Sequence, residues 1–311
     1  MITALAGGVG AARFLQGLVK NVPPDKLTII VNTGDDIEFH GLHVSPDLDI
    51  VMYTLAGIVD EEKGWGIKDD TFNCLKMLTT YGHEAWFNLG DKDFATSIER
   101  TRLLREGLSL SEVTGFLCKS LNLEQRILPM TDNKFETYVS TDRGRMHFEE
   151  YLVRRGAKDQ VHGVEFEGVE SAVPAEGVVD SIMQSDGIIV CPSNPIVSIG
   201  TILSLKGIRD ALNRTNATIV GISPIVKGAT IKGPADKLMR GLGLDVSAYG
   251  VALLYKDFLD GFVIDTVDED QRERIEKLGL RVCVSNSVMK NLDDKVRLAK
   301  TVLDMLGKEL Y

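Results

Sequence analysis

The N-terminal stretch "MITALAGGVGAARFL" constrains the fold more than any other part of the sequence. After an apolar run that ends at Ala6, the chain enters a helical pattern through three glycines, Gly7, Gly8 and Gly10. A strand that passes through glycines into a helix presents free backbone N–H groups at the helix start, where an anion binds. The stretch therefore predicts an α/β unit whose first turn holds a phosphate, with a purely structural tight turn as the alternative.

The rest of the chain alternates β-branched runs with helical periodicity. A second strand pattern, "KLTIIVNTGDD", follows one helix after the first and completes a βαβ unit. Strand patterns return at residues 136–141, 146–153, 161–168, 187–195, 217–226, 251–255, 261–265 and 281–285. The first two of these flank the turn "DRG" and predict a hairpin. Apolar strands separated by helices predict an α/β fold with a doubly wound, mostly parallel sheet covered on both faces.

Residues 51–126 show helical periodicity in place of strand patterns. Ser109 and Glu112 form a capping-box pattern before a helix whose apolar residues share one face. We interpret this segment as a helical insertion, and residues 1–50 and 127–311 as the core that carries the sheet.

Composition and charge exclude several function classes. The 311 residues carry a formal net charge of −10, whereas non-specific nucleic-acid binding depends on clustered Lys and Arg. We find no apolar run long enough to cross a bilayer and no secretory signal pattern. The four cysteines are isolated, as expected for a reduced protein without a zinc motif. We therefore expect a cytoplasmic protein that binds small molecules and neither nucleic acid nor membranes.

The glycine turn departs from two common nucleotide-binding patterns. Arg13 stands where the third glycine of G-x-G-x-x-G would be, and Asn32 replaces the acidic ribose ligand after the second strand. A nicotinamide-linked oxidoreductase is therefore disfavoured, and the absence of G-K-S/T argues against a P-loop ATPase. The remaining prediction is a diphosphate site in which backbone N–H groups around Gly8 and Gly10 are assisted by the charge of Arg13.

A strongly acidic loop follows the second strand. Its four aspartates are Asp35, Asp36, Asp47 and Asp49. A diphosphate nearby would be repelled by this loop unless a cation lay between them, and carboxylate with phosphate oxygens is the environment that Mg²⁺ prefers. A cap or a turn explains any single aspartate, but the cluster favours a metal site. On an extended loop, Asp47 and Asp49 would point the same way.

Two later segments place polar groups at helix starts. "WFNLGDKDFA" (residues 86–95) contains Asn88, Asp91 and Lys92, and Asp93 is predicted to be the N-cap of the following helix. "CPSNPIVSIGTIL" (residues 191–203) contains Ser193 and Asn194, which either bind a nucleotide or cap the helix.

The segment "SPIVKGATIKGPADKLM" is the strongest local basic feature. It brings Lys227 and Lys232 to a Gly-Pro helix start and is a second phosphate candidate.

Taken in order, these loops resemble the 2-phospho-L-lactate transferase family of deazaflavin coenzyme F-420 biosynthesis. The matching stretches span nearly the whole chain and include "AGGVGAARFLQGL", "NTGDD", "GLHVSPDLDIVMYTLAG", "WFNLGDKDFATSIERTRLL", "CPSNPIVSIGTILSLKGIRDAL" and "SPIVKGATIKGPADKLM". The chain departs at Ala11, where we expect glycine, and at Thr201, where we expect proline, and neither change removes a functional group. The resemblance implies a Rossmann-like core, a Mg²⁺ requirement and a homodimer.

The resemblance also implies a reaction and roles for the residues. A 2-phospholactyl group would pass from lactyl-2-diphospho-5'-guanosine to the ribityl hydroxyl of Fo, the 8-hydroxy-5-deazaflavin precursor, with release of GMP. Phosphates would contact Gly8, Gly10, Arg13, Lys227 and Lys232, and guanine would lie against Ser193 and Asn194. Metal ligation would involve Asp35, Asp36 and Asp47, and catalysis Asp36, Asp47 and Asp49. The acceptor Fo would contact Asp49, Trp86 (by stacking), Asn88, Asp91 and Lys92.

The alternative from another class is a non-enzymatic regulator that binds nucleotide sugars on a similar core. Such a protein would not need "SPDLD" beside "NLGDKD", and the presence of both favours the enzyme. Deazaflavin absorbance of the purified protein would discriminate between the two.

Overall fold

The computed structural model describes residues 1–307 and shows a central sheet of seven parallel strands. The strands in this part of the chain are β1 (Ile2–Ala6), β2 (Leu27–Val31), β3 (Ile37–Phe39), β4 (Leu42–Val44), β5 (Arg126–Pro129), β6 (Glu136–Thr141), β7 (Gly144–His147), β8 (Val161–Glu167), β9 (Gly187–Val190), β10 (Thr218–Ile222), β11 (Ile225–Val226), β12 (Ala229–Thr230), β13 (Gly261–Ile264) and β14 (Arg281–Val284). The central sheet has the order β14-β13-β10-β9-β1-β2-β5, and β6, β7 and β8 form a separate antiparallel sheet. The doubly wound α/β prediction is confirmed.

Helices cover both faces of the central sheet. They are α1 (Gly8–Leu18), α2 (Pro46–Leu55), α3 (Asn73–Thr80), α4 (Asp91–Arg105), α5 (Leu110–Ser120), α6 (Val178–Met183), α7 (Ile199–Ser204), α8 (Ile208–Arg214), α9 (Ala235–Gly241), α10 (Ala248–Tyr255), α11 (Arg272–Glu276) and α12 (Leu292–Met305). Two 3₁₀ segments, Pro24–Lys26 and Thr266–Gln271, and a π-helical segment, Glu150–Arg154, complete the assignment. No helix within residues 1–307 is both long and apolar enough to cross a membrane.

The core consists of two apolar layers separated by the sheet. Successive residues of a strand point to opposite faces, so Ala4 and Ile29 belong to one layer while Leu5 and Ile30 belong to the other. Helices α1, α2, α5 and α12 cover the first layer, and α6, α7, α8, α10 and α11 cover the second. Helices α4 and α5 of residues 51–126 contribute Leu103 and Val113 to the first layer, whereas α3 contributes Leu75 to a separate apolar cluster.

The sheet order creates a switch point beside β1. The chain moves from β1 to β2 on one side and returns as β9 on the other. In doubly wound sheets, ligands bind outside the carboxyl ends of the strands at such a point. The loop after β1 and the loop after β9 meet here, because an added Cβ at Gly10 would lie 2.3 Å from the carbonyl oxygen of Pro192. Glycine is therefore required at residue 10 by close backbone approach.

Several predicted elements differ from the structure. The strand predicted at 251–255 lies inside helix α10, because a short apolar run without alternation does not distinguish a strand from a helix. The strand predicted at 146–153 ends at His147 and is followed by the π-helical segment. Asp93 is not the N-cap of α4. Gly90 occupies that position, and the Asp93 carboxylate accepts a hydrogen bond from its N–H at 3.2 Å.

Two local predictions are confirmed. Ser109 and Glu112 form the predicted capping box at the start of α5, with the Glu112 N–H donating to Ser109 Oγ at 3.2 Å. Strands β6 and β7 pair as the predicted hairpin around the turn that contains Arg143.

Candidate active site

The turn after β1 is built so that backbone groups approach the switch point closely. Gly8 has φ +70°, in the left-handed region where glycine is favoured. The N-cap Gly7 contributes no side-chain cap, and its N–H donates to Ser193 Oγ at 3.2 Å. The first residues of α1, from Gly8 to Gly10, line a cavity, so the start of this helix faces open space. A helix start of this kind is suited to an anion.

Asn32, at the end of β2, connects three loops of the site. Its Nδ2 donates to Asp47 Oδ2 at 2.9 Å and to the carbonyl of Val197 at 3.2 Å. Its Oδ1 accepts from the backbone N–H of Gly34 and from Thr201 Oγ1 at 2.6 Å. The threonine that stands where we expected proline thus donates a hydrogen bond to a fully buried amide. Asn32, which stands where a dinucleotide-binding protein would have an acidic ribose ligand, therefore links the surrounding loops by hydrogen bonds.

The Asp-x-Asp pair does not lie on an extended loop. Both aspartates are in the first turn of α2, which begins at Pro46. Residues two apart on a helix do not face the same side, so the prediction that Asp47 and Asp49 point the same way is wrong. Asp47 faces the cavity and Asn32, whereas Asp49 faces α4.

Asp49 forms a buried ion pair with Arg100 of α4. Both guanidinium Nη atoms contact its carboxylate, with Nη1 at 3.2 Å from Oδ2, and the Arg100 side chain is 1% exposed. Burial raises the pKa of Asp49, and the charge of Arg100 opposes that shift. Asp49 is not among the residues that line the cavity, and its contact with the acceptor stays a prediction.

Asp36 is likewise engaged by neighbours. Its Oδ2 accepts a hydrogen bond from Ser45 Oγ at 2.8 Å and lies 2.8 Å from His43 Nε2. Its other oxygen, Oδ1, is buried without a hydrogen-bond partner among the described residues. Asp36 does not line the cavity, and its catalytic and metal-binding roles stay predictions.

Three other carboxylates, those of Asp35, Asp47 and Glu149, line the cavity together. Burial raises the pKa of Asp35 well above its usual value, and the charges of Asp47 and Glu149 raise it further. Burial also raises the pKa of Asp47 to about 6 and that of Glu149 to about 8. Perturbed carboxyl groups that converge in a cleft are typical of functional sites.

The cavity has a volume of about 450 Å³ and lies over the carboxyl ends of the central strands. Besides the glycine turn and the three carboxylates, its wall includes the polar side chains of Arg13, Asn88, Ser193, Asn194 and Lys232. The structure therefore brings most of the predicted phosphate- and nucleotide-binding residues into one space. This size is typical of a small-molecule site.

Of the two lysines predicted to bind phosphate, only Lys232 lines the cavity. Its Nζ lies 3.4 Å from the carbonyl oxygen of Lys63, on the loop opposite. Lys227 has φ +53° and donates its backbone N–H to the Asp268 carboxylate, and it is not in the cavity wall. The structure therefore supports the predicted position of Lys232 and does not bring Lys227 to the cavity.

Of the residues predicted to bind the acceptor, some line the cavity and others lie outside its wall. Asn88 lines the cavity, whereas Trp86 packs against Phe39 with ring centroids 5.4 Å apart, outside the wall. Asp91 accepts hydrogen bonds from Thr71, Asn73 and Cys74 at the start of α3.

Lys92 also lies outside the cavity wall. Its Nζ donates to the carbonyls of Lys68 and Asp69 at 2.8 and 3.1 Å. These contacts fix the loop before α4, and no described contact brings Trp86, Asp91 or Lys92 to the cavity.

The donor set is compatible with a hard divalent cation that binds together with a ligand. Asp35 Oδ1 is buried without a partner, and Asp47 keeps one oxygen free of the bond from Asn32. Within residues 1–307, no three His, Cys, Asp or Glu side chains already surround a single point as a metal site. Mg²⁺ is commonly held by one or two carboxylates plus substrate phosphates, and such a site needs no complete protein cage.

Glu149 and the aromatic part of the wall were not predicted. Trp65, Phe87 and Phe148 line the cavity and provide an apolar surface. The available signal for Glu149 was a carboxylate inside the apolar run "MHFEEYLV", which is unusual unless the residue is functional or paired. Glu149 is far from the acidic loop in sequence, so the sequence alone did not indicate that they share a cavity.

Comparison with known proteins gives consistent matches over the whole chain. The family model of 2-phospho-L-lactate transferase CofD matches residues 2–304. A protein of Kitasatospora aureofaciens named phosphoenolpyruvate transferase is 44% identical over 309 residues, which cover 97% of this chain and 96% of that protein. The 2-phospho-L-lactate transferase of Methanothermobacter thermautotrophicus is 41% identical over 303 residues, or 97% of each chain.

A solved structure matches the fold. A member of the UPF0052 family from Bacillus halodurans superposes with a TM-score of 0.67 over 97% of this chain and 98% of that chain. The identity is 14%, so this similarity concerns the fold alone.

Proposed function

Because the chain belongs to the 2-phospho-L-lactate transferase CofD family, we propose that it transfers a 2-phospholactyl group from lactyl-2-diphospho-5'-guanosine to Fo and releases GMP. The family makes the chain a transferase of coenzyme F-420 biosynthesis. The observation that supports the specific reaction is the single cavity where the glycine turn, two of the predicted aspartates and the Ser193–Asn194 loop meet.

The proposed chemistry is a displacement at phosphorus. The ribityl hydroxyl oxygen of Fo attacks the phosphorus that carries the lactyl group, and the bond from that phosphorus to the GMP oxygen breaks. The hydroxyl proton passes to water, and GMP leaves with the bonding electron pair. Phosphoryl transfers of this kind depend mainly on positioning and on stabilisation of charge. The chain must therefore hold a diphosphate beside an alcohol.

The donor side of the cavity would be formed by the glycine turn and two basic side chains. Backbone N–H groups at the start of α1 and the charges of Arg13 and Lys232 would hold the two phosphates. Ser193 and Asn194, beside the same turn, would contact the guanosine. Asn194 Oδ1 already accepts from the N–H groups of Ile196 and Val197, so its amide nitrogen is the group left for a ligand.

A divalent cation would be held by Asp35 and Asp47. Mg²⁺ bound there would offset the charge of the diphosphate and of the carboxylates. Asn32 fixes Asp47 by a hydrogen bond to its Oδ2. The protein's own contribution, in this proposal, is to hold the carboxylates of Asp35 and Asp47 beside the phosphate-binding turn.

The acceptor side would use Asn88 and the apolar wall. Trp65, Phe87 and Phe148 offer aromatic surface to a flat ring system, in place of the stacking predicted for Trp86. Asp49 is held by Arg100 and would contact the ribityl chain only if its side chain turned from α4 toward the cavity. Homodimer formation remains a prediction from the family resemblance.

A related donor is the second candidate. The Kitasatospora relative is named for phosphoenolpyruvate transfer and the Methanothermobacter relative for 2-phospholactate transfer, at 44% and 41% identity. A donor that carries phosphoenolpyruvate in place of 2-phospholactate would present the same diphosphate to the same turn. The two donors differ at the three-carbon acid, so the chemistry at phosphorus is unchanged.

A direct assay tests the reaction and the donor. The protein is incubated with Fo, Mg²⁺ and either guanosine donor, and GMP and the phosphodiester product are separated by chromatography. We expect equal amounts of GMP and product with at least one donor, and a control without Fo should release no GMP. Absence of product with both donors would contradict the proposed function.

A further inference from the structure

Residues 60–66 form a closed loop, the strap, between α2 and α3. Its base is joined by a hydrogen bond from the N–H of Asp60 to the carbonyl of Gly66 at 3.0 Å. Inside the strap, Asp60 Oδ1 accepts from the N–H groups of Glu62 and Lys63 at 3.1 and 3.0 Å. The strap is therefore held in shape by its own hydrogen bonds.

On one side, the strap contacts α1 beside the arginine predicted to bind phosphate. Gln16 Nε2 donates to Glu61 Oε1 at 2.9 Å. Arg13 precedes Gln16 by three residues on α1, so both side chains lie on the same face, and Arg13 lines the cavity. The hydrogen bond lowers the pKa of Glu61, and the positive charges of Lys295 and Arg13 lower it further. The Glu61 carboxylate is therefore held near the cations of this face.

On its other side, the strap contacts the second cation in the cavity wall. Lys232 Nζ lies 3.4 Å from the carbonyl oxygen of Lys63, and a Cβ added to Gly64 would lie 2.3 Å from the same Nζ. Trp65, the next residue of the strap, lines the cavity and is 40% exposed. The two cations assigned to the diphosphate, Arg13 and Lys232, therefore each have a strap group as a neighbour.

The strap groups are weaker partners for these cations than a phosphate would be. A phosphate oxygen forms a charge-assisted hydrogen bond with arginine or lysine, and such a bond is stronger than one to a neutral carbonyl. Glu61 is exposed, so solvent screens its attraction for Arg13. A diphosphate that binds both cations therefore replaces both strap groups, and the lost attractions reduce its affinity by a small factor.

We propose that the strap competes with the diphosphate for Arg13 and Lys232, with the Glu61 carboxylate and the Lys63 carbonyl as the competing groups. This inference rests on the proposed function, because the diphosphate is that of the guanosine donor. Glu61 acts through Arg13 and is a positioning residue. A ligand that takes both cations releases the strap on both sides, and Trp65 moves with it.

The test is GDP binding to the full chain, measured by calorimetry at low ionic strength. Glu61→Gln keeps an oxygen that accepts the hydrogen bond from Gln16 but removes the charge near Arg13. We expect it to bind GDP about threefold more tightly than the wild type, an effect in the range of one exposed charge pair. In 1 M NaCl, where the Debye length is about 3 Å, the gain should vanish. The control Glu62→Gln removes the same charge from the next exposed residue and should remain within about 1.5-fold of the wild type.

A double variant shows whether Glu61 acts through Arg13. In the Arg13→Ala background, Glu61→Gln should give no gain, because the cation it releases is absent. A gain that persists without Arg13 would overturn the proposal, as would an equal gain in Glu62→Gln. Unchanged or weaker GDP binding by Glu61→Gln, or no GDP binding by the wild type, would overturn it too. Binding needs neither Fo nor turnover, so this gain in a chain that released no GMP would support the strap and contradict the proposed reaction.

Release of the strap is measured from the fluorescence of Trp65, since Trp65 and Trp86 are the two tryptophans of the chain. In a Trp86→Phe chain, GDP should shift the emission of Trp65. Adding Lys232→Ala, which removes the contact with the Lys63 carbonyl, should shift it in the same direction without GDP, whereas Lys227→Ala should not. An emission that GDP leaves unchanged, or an unshifted Lys232→Ala spectrum, would contradict release of the strap.

Discussion

Asp47 and Asp49 lie two residues apart on the first turn of α2, yet their surroundings differ in charge and in access. Asp47 faces a cavity with two further carboxylates and is hydrogen-bonded by the Asn32 amide and the backbone of Gly8, while Asp49 faces a fully buried guanidinium. Among the described residues, the carboxylate of Asp47 has no ion-pair partner, whereas that of Asp49 is paired with Arg100. We infer that the charge at Asp47 is kept for a ligand and that the charge at Asp49 is used to join α2 to α4.

The largest expected effect is on stability and concerns Arg100. Arg100→Leu would leave the Asp49 carboxylate buried without its partner, which costs about 3 to 5 kcal/mol of unfolding free energy. Urea denaturation measures this loss. Arg102→Ala, on the same helix but in exposed pairs with Glu99 and Glu106, should cost less than about 1 kcal/mol.

A double variant makes the Arg100 prediction specific. If the cost arises from the unpaired carboxylate, adding Asp49→Asn to Arg100→Leu should restore part of the stability. Equal instability of the single and double variants would show that the loss comes from packing of the arginine side chain alone.

The next effect is on activity and concerns Asp47. Asp47→Asn keeps the hydrogen bond from Asn32, since an amide oxygen also accepts, but removes the charge toward the cavity. We expect GMP release to fall by roughly 100-fold or more, as for the loss of one electrostatic stabiliser. The unfolding free energy should stay equal or rise. A stable variant with wild-type turnover would place Asp47 outside the chemistry.

The basic residues provide a third, smaller contrast. Arg13→Ala and Lys232→Ala should each weaken GDP binding by about 1.5 to 3 kcal/mol, because each removes a charge-assisted phosphate contact. Lys227→Ala is the control, since Lys227 does not line the cavity. Calorimetric titration with GDP gives the three values. A loss confined to Lys227→Ala would reverse the assignment of the phosphate loops.

The smallest expected effect is a change in how the free energy of unfolding depends on pH when Glu149 is replaced. Burial raises its pKa to about 8 from an ordinary value of 4.5, so the folded state holds a proton that the unfolded state has lost between these values. Stability is therefore full below about pH 4.5 and falls as pH rises to about 8. In Glu149→Gln the free energy of unfolding should not show this decrease, because glutamine does not titrate.

Between pH 6 and pH 7, with EDTA present, the unfolding free energy of Glu149→Gln should increase relative to the wild type by about 1 kcal/mol, close to the limit of one proton per pH unit. Denaturant titrations at both pH values give the difference. A constant difference across this interval would show that Glu149 does not titrate there.

The sequence predicted the parts of the site that depend on local patterns. The glycine turn, the strand ends and the capping box at Ser109 follow from spacing and residue type, and the structure places them as expected. The parallel sheet follows from repeated apolar runs, since a strand buried on both faces has no polar alternation. Local rules also predicted Arg13, on α1, and Asn88, in the loop before α4, as ligand-binding residues, and both line the cavity.

The remaining features depend on tertiary contacts that one sequence does not encode locally. An extended loop would direct Asp47 and Asp49 to the same side, but the helix that begins at Pro46 directs them to different sides. Glu149 reaches the cavity only because the antiparallel sheet unit packs beside the central sheet. Arg100, the partner of Asp49, lies 51 residues away in sequence.

The most direct test of the account is the dependence of GDP binding on Mg²⁺, measured by calorimetry on the wild-type chain. If the open carboxylates and the glycine turn share a cation with a diphosphate, GDP should bind at least tenfold more tightly with Mg²⁺ than with EDTA, a difference of about 1.4 kcal/mol. Equal GDP affinity in Mg²⁺ and in EDTA would contradict the account, because the carboxylates around Asp47 would then have no role in binding the donor.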